Sequence, residues 1–291
     1  MNDQINFDAL LPGAMAAKAE ELGTKKASLG IANMFVLAIL AGAFISLGAI
    51  FATTVLAGSS VLPYGVARLL AGLVFSLGLI LVVVGGSELF TGNNLIMMAF
   101  ASGKVTLGGL MRNWVTVYIG NFVGSVATAI VMFYSKQYTF GAGSIGLAAL
   151  GIGESKTSLE FVQAIALGIM CNALVCMAVW LCYSARTTTD KILAIIPPIT
   201  AFVAAGFEHS IANMYFIPIA LFIKNAAPAS FWQLKGLTDA AKTAASFPHL
   251  TWGNFFVANL LPVTIGNILG GAFMVGLVYW FIYLRKPAGN K

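Results

Sequence analysis

The sequence has few charged residues for its length. Only 9% of its 291 residues are Asp, Glu, Lys or Arg, whereas a soluble domain typically carries about 25%. With 59% hydrophobic residues and a mean hydropathy of +0.90, the chain cannot cover its surface with groups that favour water. This scarcity of charge excludes a soluble enzyme. Because a helix of about 20 apolar residues crosses a bilayer, the composition indicates an all-α membrane protein with room for about six crossings.

Cysteine and histidine are also scarce, and their positions exclude several kinds of chemistry. Cys171, Cys176 and Cys182 all lie in one apolar segment, where we expect small core residues and no disulfide or metal site. His209 and His249 belong to no metalloprotease or serine-hydrolase motif, which argues against a membrane-embedded hydrolase. The basic residues form no long run, so nucleic acid is not expected as a partner. We expect no enzyme activity, no cofactor and no metal.

Long apolar segments divide the chain into six candidate spans. They cover residues 31–57, 69–101, 106–134, 159–185, 192–224 and 254–284. If the N-terminus is cytoplasmic, most of the Lys and Arg residues fall in the inner regions, close to the ends of the spans. This bias favours a multi-pass protein in the lipid bilayer with both termini in the cytoplasm.

The second and fifth segments are too long to be single straight helices across a membrane. Each would be about 50 Å long at 1.5 Å per residue, against a hydrocarbon core of about 30 Å. The middle of each contains glycine, glutamate and asparagine in the same spacing. The pattern comprises Gly86, Glu88 and Asn93 in the second segment and Gly206, Glu208 and Asn213 in the fifth. We therefore expect helices 2 and 5 to be broken at these structural residues.

A second pair of matching motifs indicates that the chain contains an internal repeat. Ile119-Gly120-Asn121 in the third segment recurs as Ile265-Gly266-Asn267 in the sixth. Three crossings is an odd number, so the second copy enters from the opposite side and the halves form an inverted 3+3 repeat, about 29–134 and 159–284. Broken helices at matching positions of such repeats predict a transport site near the midplane. We expect residues 29–286 to form a single transmembrane pore domain.

The breaks carry side chains that are costly inside a membrane. Glu88 and Glu208 could cap backbone N–H groups freed at the breaks, or they could line a pathway. His209 lies in only one break, and the equivalent position in the other repeat is Leu89. Because the charge of a histidine responds near neutral pH, we expect His209 to be a proton-sensitive group that lines the pore.

Several residues near the breaks are open to two interpretations. Phe75 and Leu79 are one turn apart on the second segment, and Phe202 lies in the fifth, so they could face one passage or pack in the core. Asn172 and Asn267 are polar positions in otherwise apolar helices. They could line a cavity or pair across a helix interface.

The segment before the first span is different in character. Residues 1–28 have the spacing of an amphipathic helix. Such a helix could lie on the inner leaflet of the membrane. It could instead be a cytoplasmic lid that alters the pore or binds a cytoplasmic partner.

The motifs of the two breaks resemble those of the formate/nitrite transporter family. The resemblance rests on SELFTGN at 87–93, GFEHSIANM at 206–214 and NLLPVTIGN at 259–267, and it extends over nearly the whole chain. It implies an aquaporin-like protomer of six helices with its own pore. It also implies a homopentamer in the bacterial inner membrane, with both termini cytoplasmic.

The resemblance further implies a channel for formate, with or without an accompanying proton, whose pH dependence comes from a central pore histidine, His209. The residues expected along the translocation path are His209, Thr91, Asn172, Lys156, Glu208 and Asn267. The constrictions are expected at Leu79 and Leu89 on the inner side and at Phe75 and Phe202 on the outer side, and Phe90 is expected to be a further constriction residue. Nitrite, hydrosulfide and lactate remain alternative substrates, because the residue types that line such pores overlap.

Overall fold

The computed structural model describes residues 9–285, in which the regular structure is helical throughout. In chain order the helices are α1 (Pro12–Ser28), α2 (Ile31–Leu56), α3 (Tyr64–Gly85), α4 (Phe90–Asn93), α5 (Ile96–Ala101), α6 (Leu107–Tyr134), α7 (Ser144–Thr157), α8 (Phe161–Ser184), α9 (Thr188–Ala204), α10 (Ser210–Ala226), α11 (Ala229–Trp232), α12 (Lys235–Thr238) and α13 (Trp252–Tyr283). Short 3-10 turns lie at Ser59–Val61, Gln137–Thr139 and Ala244–Ser246. Helix α13 contains π-helical stretches at Phe255–Leu260 and Leu269–Leu277.

Six membrane crossings account for most of these helices. Helices α2, α3, α6, α8 and α13 are each long and apolar enough to span a bilayer. Helices α9 and α10 follow one another across a short break and form the remaining crossing. The predicted all-α fold with six transmembrane helices is therefore confirmed, although α3 begins at Tyr64, ahead of the predicted start at residue 69.

Both breaks lie where the glycine motifs predict them. Gly86 follows α3 with a φ of 79°, and Gly206 follows α9 with a φ of 77°. This left-handed backbone favours glycine, which has no Cβ to clash with the neighbouring carbonyl group. Helical geometry resumes at Phe90 in the first half and at Ser210 in the second. The chain leaves and re-enters the helix at equivalent points of both halves.

The inverted repeat is also visible in how the helices pack. Helix α6 crosses α2 so closely that a Cβ at Gly124 would clash with the carbonyl oxygen of Ile39. Helix α13 crosses α8 in the same way, and a Cβ at Gly270 would clash with the carbonyl oxygen of Ile169. Small residues at such crossings allow membrane helices to approach backbone to backbone. The two halves are thus built on the same helix contact, as expected for the aquaporin-like inverted repeat.

Helix α7 was not expected from the sequence, because residues 135–158 looked like a connection between two apolar segments. It is the counterpart of α1. Lys26 near the end of α1 forms an ion pair with Glu88 at 2.7 Å, and Lys156 near the end of α7 forms one with Glu208 at 2.7 Å. Lys156, one of the residues expected along the translocation path, lies in the last turn of this helix. Helices α1 and α7 thus pack in equivalent positions just ahead of the two predicted repeats.

Helix α1 packs on the bundle, and its apolar residues are buried against α5 and α8. Arg112 of α6 donates a hydrogen bond to the carbonyl group of Ala27 at the end of α1. Glu20 accepts a hydrogen bond from Lys104 at 2.6 Å. Burial raises the pKa of Glu20, but hydrogen bonds from Lys104 and Ser102 outweigh it and hold this pKa below its usual range. Residues 1–8 of the predicted amphipathic segment, and residue 286 of the predicted pore domain, lie outside the described residues.

The long connection before α13 folds over the end of α7. Lys224 donates hydrogen bonds to the carbonyl groups of Phe247 at 2.6 Å and Leu250 at 2.9 Å. His249 is exposed and contacts the Glu154 carboxylate through Nδ1 at 2.7 Å. The connection is therefore tied to the bundle at several points along its length.

The close helix crossings generate a prediction about stability. Gly124→Ala and Gly270→Ala should each destabilise the protein by about 1–3 kcal/mol, because the added methyl group overpacks a backbone contact. Thermal unfolding of the purified protein in detergent, followed by tryptophan fluorescence, measures the effect. Gly151→Ala is the matched control, since nothing lies within 4 Å of the Cβ it would add. An unchanged Tm for both crossing variants would contradict the close approach.

Candidate functional site

The first break is held by one asparagine side chain. Asn121 of α6 accepts a hydrogen bond from the backbone N–H of Phe90 at 2.9 Å. Its amide nitrogen donates to the carbonyl groups of Ala38 at 2.7 Å and Glu88 at 2.9 Å. Asn121 is fully buried, so these backbone groups have no access to water and depend on the amide. A single side chain thus binds backbone groups on both sides of Leu89, where α4 begins, and links them to α2.

The second break is held in the same way by Asn267 of α13. Its amide oxygen accepts from the N–H of Ser210 at 2.9 Å, and its amide nitrogen donates to the carbonyl groups of Gly168 at 2.9 Å and Glu208 at 2.9 Å. The sequence left open whether Asn267 lines a cavity or pairs across a helix interface. Its side chain lies at the interface and is occupied by backbone groups. We call Asn121 and Asn267 the amide clamps.

The two glutamates do not cap the helix starts, which corrects one of the two interpretations made from the sequence. Glu88 accepts hydrogen bonds from Lys26 and from Asn93, each at 2.7 Å. The clamps take the first N–H group at each helix start, those of Phe90 and Ser210. The physical reason is charge, because a carboxylate buried at this depth needs a cation beside it.

The equivalent cluster in the second half has the same composition. Glu208 accepts from Lys156 at 2.7 Å, from Asn213 at 2.6 Å and from Asn259 at 3.2 Å. The Lys156 side chain is only 15% exposed, and that of Glu208 is 6% exposed. Most of the positive charge of Lys156 is therefore balanced inside the protein, which leaves less of it to act on a solute.

His209 connects the two halves at the centre of the molecule. Its Nδ1 accepts a hydrogen bond from the N–H of Ala212 at 3.0 Å and so caps the start of α10. Its Nε2 lies 3.0 Å from the hydroxyl oxygen of Thr91, on the other half. Because Nδ1 is an acceptor, the neutral ring carries its proton on Nε2 and donates it to Thr91. The ring is 3% exposed and stacks on Phe202, with the ring centroids 5.9 Å apart.

Asn172 ties the first break to the second half and lies away from the cavities described below. Its amide nitrogen donates to the carbonyl groups of Thr91 at 3.3 Å and Asn267 at 2.7 Å, and to the amide oxygen of Asn94 at 3.2 Å. Cys176 donates to the same Thr91 carbonyl group at 3.3 Å. Of the two interpretations left open, pairing across helices is the one that the geometry favours.

Cavities approach the His209–Thr91 contact from both sides of the bundle. On the side that carries α1, the N-side vestibule has a volume of about 350 Å³ and is lined by residues that include Lys18, Lys26, Leu79, Ser87, Leu89 and Lys191. On the opposite side, the far-side pocket of about 70 Å³ is lined by residues that include Arg68, Phe75, Lys156, Phe202, His209 and Phe216. It adjoins the far-side vestibule of about 820 Å³, lined in part by Ser59, Tyr64, Arg68, Ser155, Lys156 and Gln163.

The residues expected at the constrictions are distributed between these cavities. Leu79 and Leu89 line the N-side vestibule. Phe75 and Phe202 line the far-side pocket and contact each other edge to face, with centroids 5.6 Å apart. Phe90 lines neither cavity. Its ring packs edge-on against aromatic residues of α6, with centroids 6.0 Å from Trp114 and 4.9 Å from Tyr118.

Several residues of the site were not singled out from the sequence. Asn121 could have been found, because it occupies the same place in the repeated Ile-Gly-Asn motif as Asn267. Asn113 and Asn259 accept hydrogen bonds from Asn93 and Asn213. Asn259 begins the NLLPVTIGN motif, whereas Asn113 has no motif to mark it. Three vestibule residues are also new and lack a sequence signal, namely Arg68, Lys18 and Lys191.

Comparison with known proteins places this architecture in a family. Residues 13–281 match the family described as formate/nitrite transporter. The chain is 47% identical over 280 residues to the formate channel FocA of Escherichia coli (strain K12), with 96% of each chain covered. It is 42% identical over 276 residues to the formate channel FocA of Haemophilus influenzae, with 95% of each covered. A solved structure described as a pentameric formate channel with formate bound is similar with a TM-score of 0.82 and 48% identity, covering 88% of this chain and 98% of that chain.

The amide clamps generate a second prediction. Asn121→Ala and Asn267→Ala should each destabilise the protein by about 3 kcal/mol or more, because each leaves two backbone groups of the break, one N–H and one carbonyl, without their amide partner and removes a third hydrogen bond to a neighbouring helix. Asn254→Ala is the control, since its side chain donates to one carbonyl group near the surface, that of His249. It should cost less than about 1 kcal/mol. Thermal unfolding in detergent distinguishes the variants. Similar Tm values for the clamp and control variants would show that the stability of the protein does not depend on the clamps.

Proposed function

Because the chain belongs to the formate/nitrite transporter family, we propose that it is a formate channel that works as a homopentamer in the bacterial inner membrane. The proposal is supported by the relatives named formate channel and by the similar pentameric structure with formate bound. It is carried by one observation in this chain. Cavities approach the buried contact between His209 and Thr91 from opposite sides of the bundle, which is the expected arrangement for a narrow, gated path. The far-side pocket is lined by His209 itself, and the N-side vestibule is lined by Leu89 and Gly92 on either side of Thr91 in the chain.

The proposed path crosses the molecule between the two vestibules. It passes Leu79 and Leu89 from the N-side vestibule, then the contact between His209 and Thr91, and then Phe75 and Phe202. The apolar residues oblige the anion to lose water, which is expensive for a full charge. His209 offsets part of this cost, since its Nε2–H can turn from Thr91 to a carboxylate oxygen.

The hydrogen bonds of His209 also define how protons enter the mechanism. A neutral ring with its proton on Nε2 can donate a hydrogen bond to formate but has no second proton to give. Transfer of a proton to formate requires protonation of Nδ1 first, and this breaks the bond to the N–H of Ala212. We propose that low pH charges the ring in this way, loosens the start of α10 and allows formate to leave as formic acid.

We further propose that the side carrying α1 faces the cytoplasm, with both termini there. The excess of Lys and Arg predicted for that side supports this orientation. The N-side vestibule is lined by Lys18, which belongs to α1, so a change in α1 would reach the path directly. This gives a route by which a cytoplasmic partner of residues 1–28 could alter flux. Other small anions, namely nitrite, hydrosulfide and lactate, are the alternative substrates.

Two substitutions of His209 separate its role as the N-cap of α10 from its role in proton transfer. His209→Asn should retain a cap on α10, because asparagine is a favourable N-cap residue, yet it cannot titrate. We expect it to move formate with little dependence on pH, whereas His209→Phe loses both the cap and the dependence. Formate uptake into proteoliposomes between pH 5 and 8 is the measurement.

The control for this pair is the exposed histidine. His249→Asn should keep the wild-type pH profile, since it lies far from the path in the connection tied to Glu154. A wild-type pH profile in His209→Asn would contradict the proposed role of the ring.

Substrate choice gives a further prediction. The narrowest part of the path adjoins a pocket of about 70 Å³, so uptake of formate should exceed uptake of lactate in the wild type. Phe202→Ala removes one wall and should raise lactate uptake at least severalfold relative to formate, because lactate is the larger anion. Parallel liposome assays with formate, nitrite, hydrosulfide and lactate measure this order. Equal wild-type rates for lactate and formate would contradict selection by size at this point.

A further inference from the structure

Arg68 is a cation of the far-side vestibule that the proposed mechanism does not use. It lies near the start of α3, is half-buried, and lines both the far-side pocket and the far-side vestibule. Its guanidinium donates a hydrogen bond to the carbonyl group of Val203. Its Nε–H is buried and has no acceptor within the described part of the chain. No carboxylate among residues 9–285 forms an ion pair with it.

The other cation of this vestibule, Lys156, is paired with a carboxylate. Lys156 is held against the Glu208 carboxylate at 2.7 Å and lies 5.5 Å from the centre of the Phe216 ring. A lysine and a carboxylate in contact have little net field at the distance of an approaching ion. Among the residues that line this vestibule, the uncompensated positive charge therefore belongs to Arg68.

The surroundings of the guanidinium leave room for an anion. Gly206 lies beside it, and a Cβ at that position would come within 3.6 Å of Nη2. The vestibule next to it is wide, at about 820 Å³, and its lining includes Ser59 and Ser155. A guanidinium offers several N–H donors in a plane that matches a carboxylate, and it keeps its charge at every physiological pH.

We infer that Arg68 is an anion-binding station at the far-side mouth of the path, selective for small monovalent carboxylates and oxyanions. This rests on the proposed function and adds the group that collects the anion before Phe75 and Phe202 strip its water. Binding to the exposed part of the guanidinium supplies an acceptor to a cation that is incompletely paired. It also raises the local concentration of anion at the pocket. Arg68 is partly exposed to the wide vestibule, so added salt screens its charge and weakens its effect.

The experiment compares concentration dependence from one side. Proteoliposomes with the protein in a single orientation, selected by capture on an N-terminal tag, are supplied with formate on the far side. In Arg68→Gln the half-saturating formate concentration should rise about threefold to tenfold, in line with the gain that a local charge gives to association. The rate at saturating formate should stay within about twofold of the wild type, because the path beyond the station is unchanged. Raising the salt concentration should shrink the difference.

Two further variants make the result specific. Arg68→Lys keeps the charge without the planar donors and should fall between wild type and Arg68→Gln. Lys242→Gln removes the same charge from an exposed position in the connection between α10 and α13, outside the lining of either far-side cavity, and should match the wild type. If Arg68→Gln does not assemble, as judged by thermal unfolding, the comparison of Arg68→Lys with wild type decides, and identical half-saturation overturns the inference.

The possible failures are distinct. If the wild type moves no formate at any concentration, the proposed function is wrong, and so is the inferred role of Arg68. If the wild type moves formate and Arg68→Gln has the same half-saturating concentration, the channel stands and the station is wrong. If Lys242→Gln shifts as much as Arg68→Gln, the effect belongs to overall surface charge and the station is also wrong.

Discussion

An amide side chain that binds three backbone groups at once is what allows each half of this protein to be broken inside the membrane. Unpaired N–H and C=O groups are not tolerated in hydrocarbon, and a break in a helix creates several of them. Asn121 and Asn267 supply one acceptor and two donors at the required positions. Because the clamps satisfy these groups, the glutamates beside the breaks can pair with lysines and need not cap the helices.

The residue that precedes the resumed helix has a different role in each half. In the second half His209 takes over a backbone N–H of α10 and also reaches the first half through Thr91. In the first half the equivalent position is Leu89, an apolar wall of the N-side vestibule. The scaffold is thus nearly symmetric, while the chemistry at its centre is not. A single ring has to serve both as a helix cap and as the polar group of the path, which couples its charge to the local backbone.

Features of the fold that follow from composition or from repetition could be predicted from the sequence. The paired glycine and glutamate motifs gave the positions of the breaks, because an unbroken helix of that length does not fit a bilayer and Gly86 and Gly206 allow the left-handed turn. Helix α7 could not be predicted in the same way. It is short and rich in small and polar residues, so its sequence does not differ from that of a connection. Its importance comes from one contact, between Lys156 and Glu208, that only tertiary structure defines.

Part of the candidate site, too, could be predicted from the sequence. His209 stood out because it is the one titratable ring in a break, whereas the same asparagine side chain can line a water-filled path or bind backbone, and sequence does not distinguish these uses. Asn172 and Asn267 belong to the second kind. The role of Arg68 could not be predicted from the sequence, because a lone arginine near the start of a predicted span is ordinarily an anchor at the membrane surface. What distinguishes it is the absence of a carboxylate partner across residues 9–285.

The mirrored clusters of Lys26 with Glu88 and Lys156 with Glu208 have a consequence for how such a molecule can arise. Each half contains its own ion pair, its own clamp and its own close helix crossing. Two copies of the first half, inserted in opposite orientations as in a twofold dimer, would hold each of these three features twice but would lack the histidine. Fusion of two copies in one polypeptide frees one break to acquire an imidazole while the other keeps an aliphatic side chain.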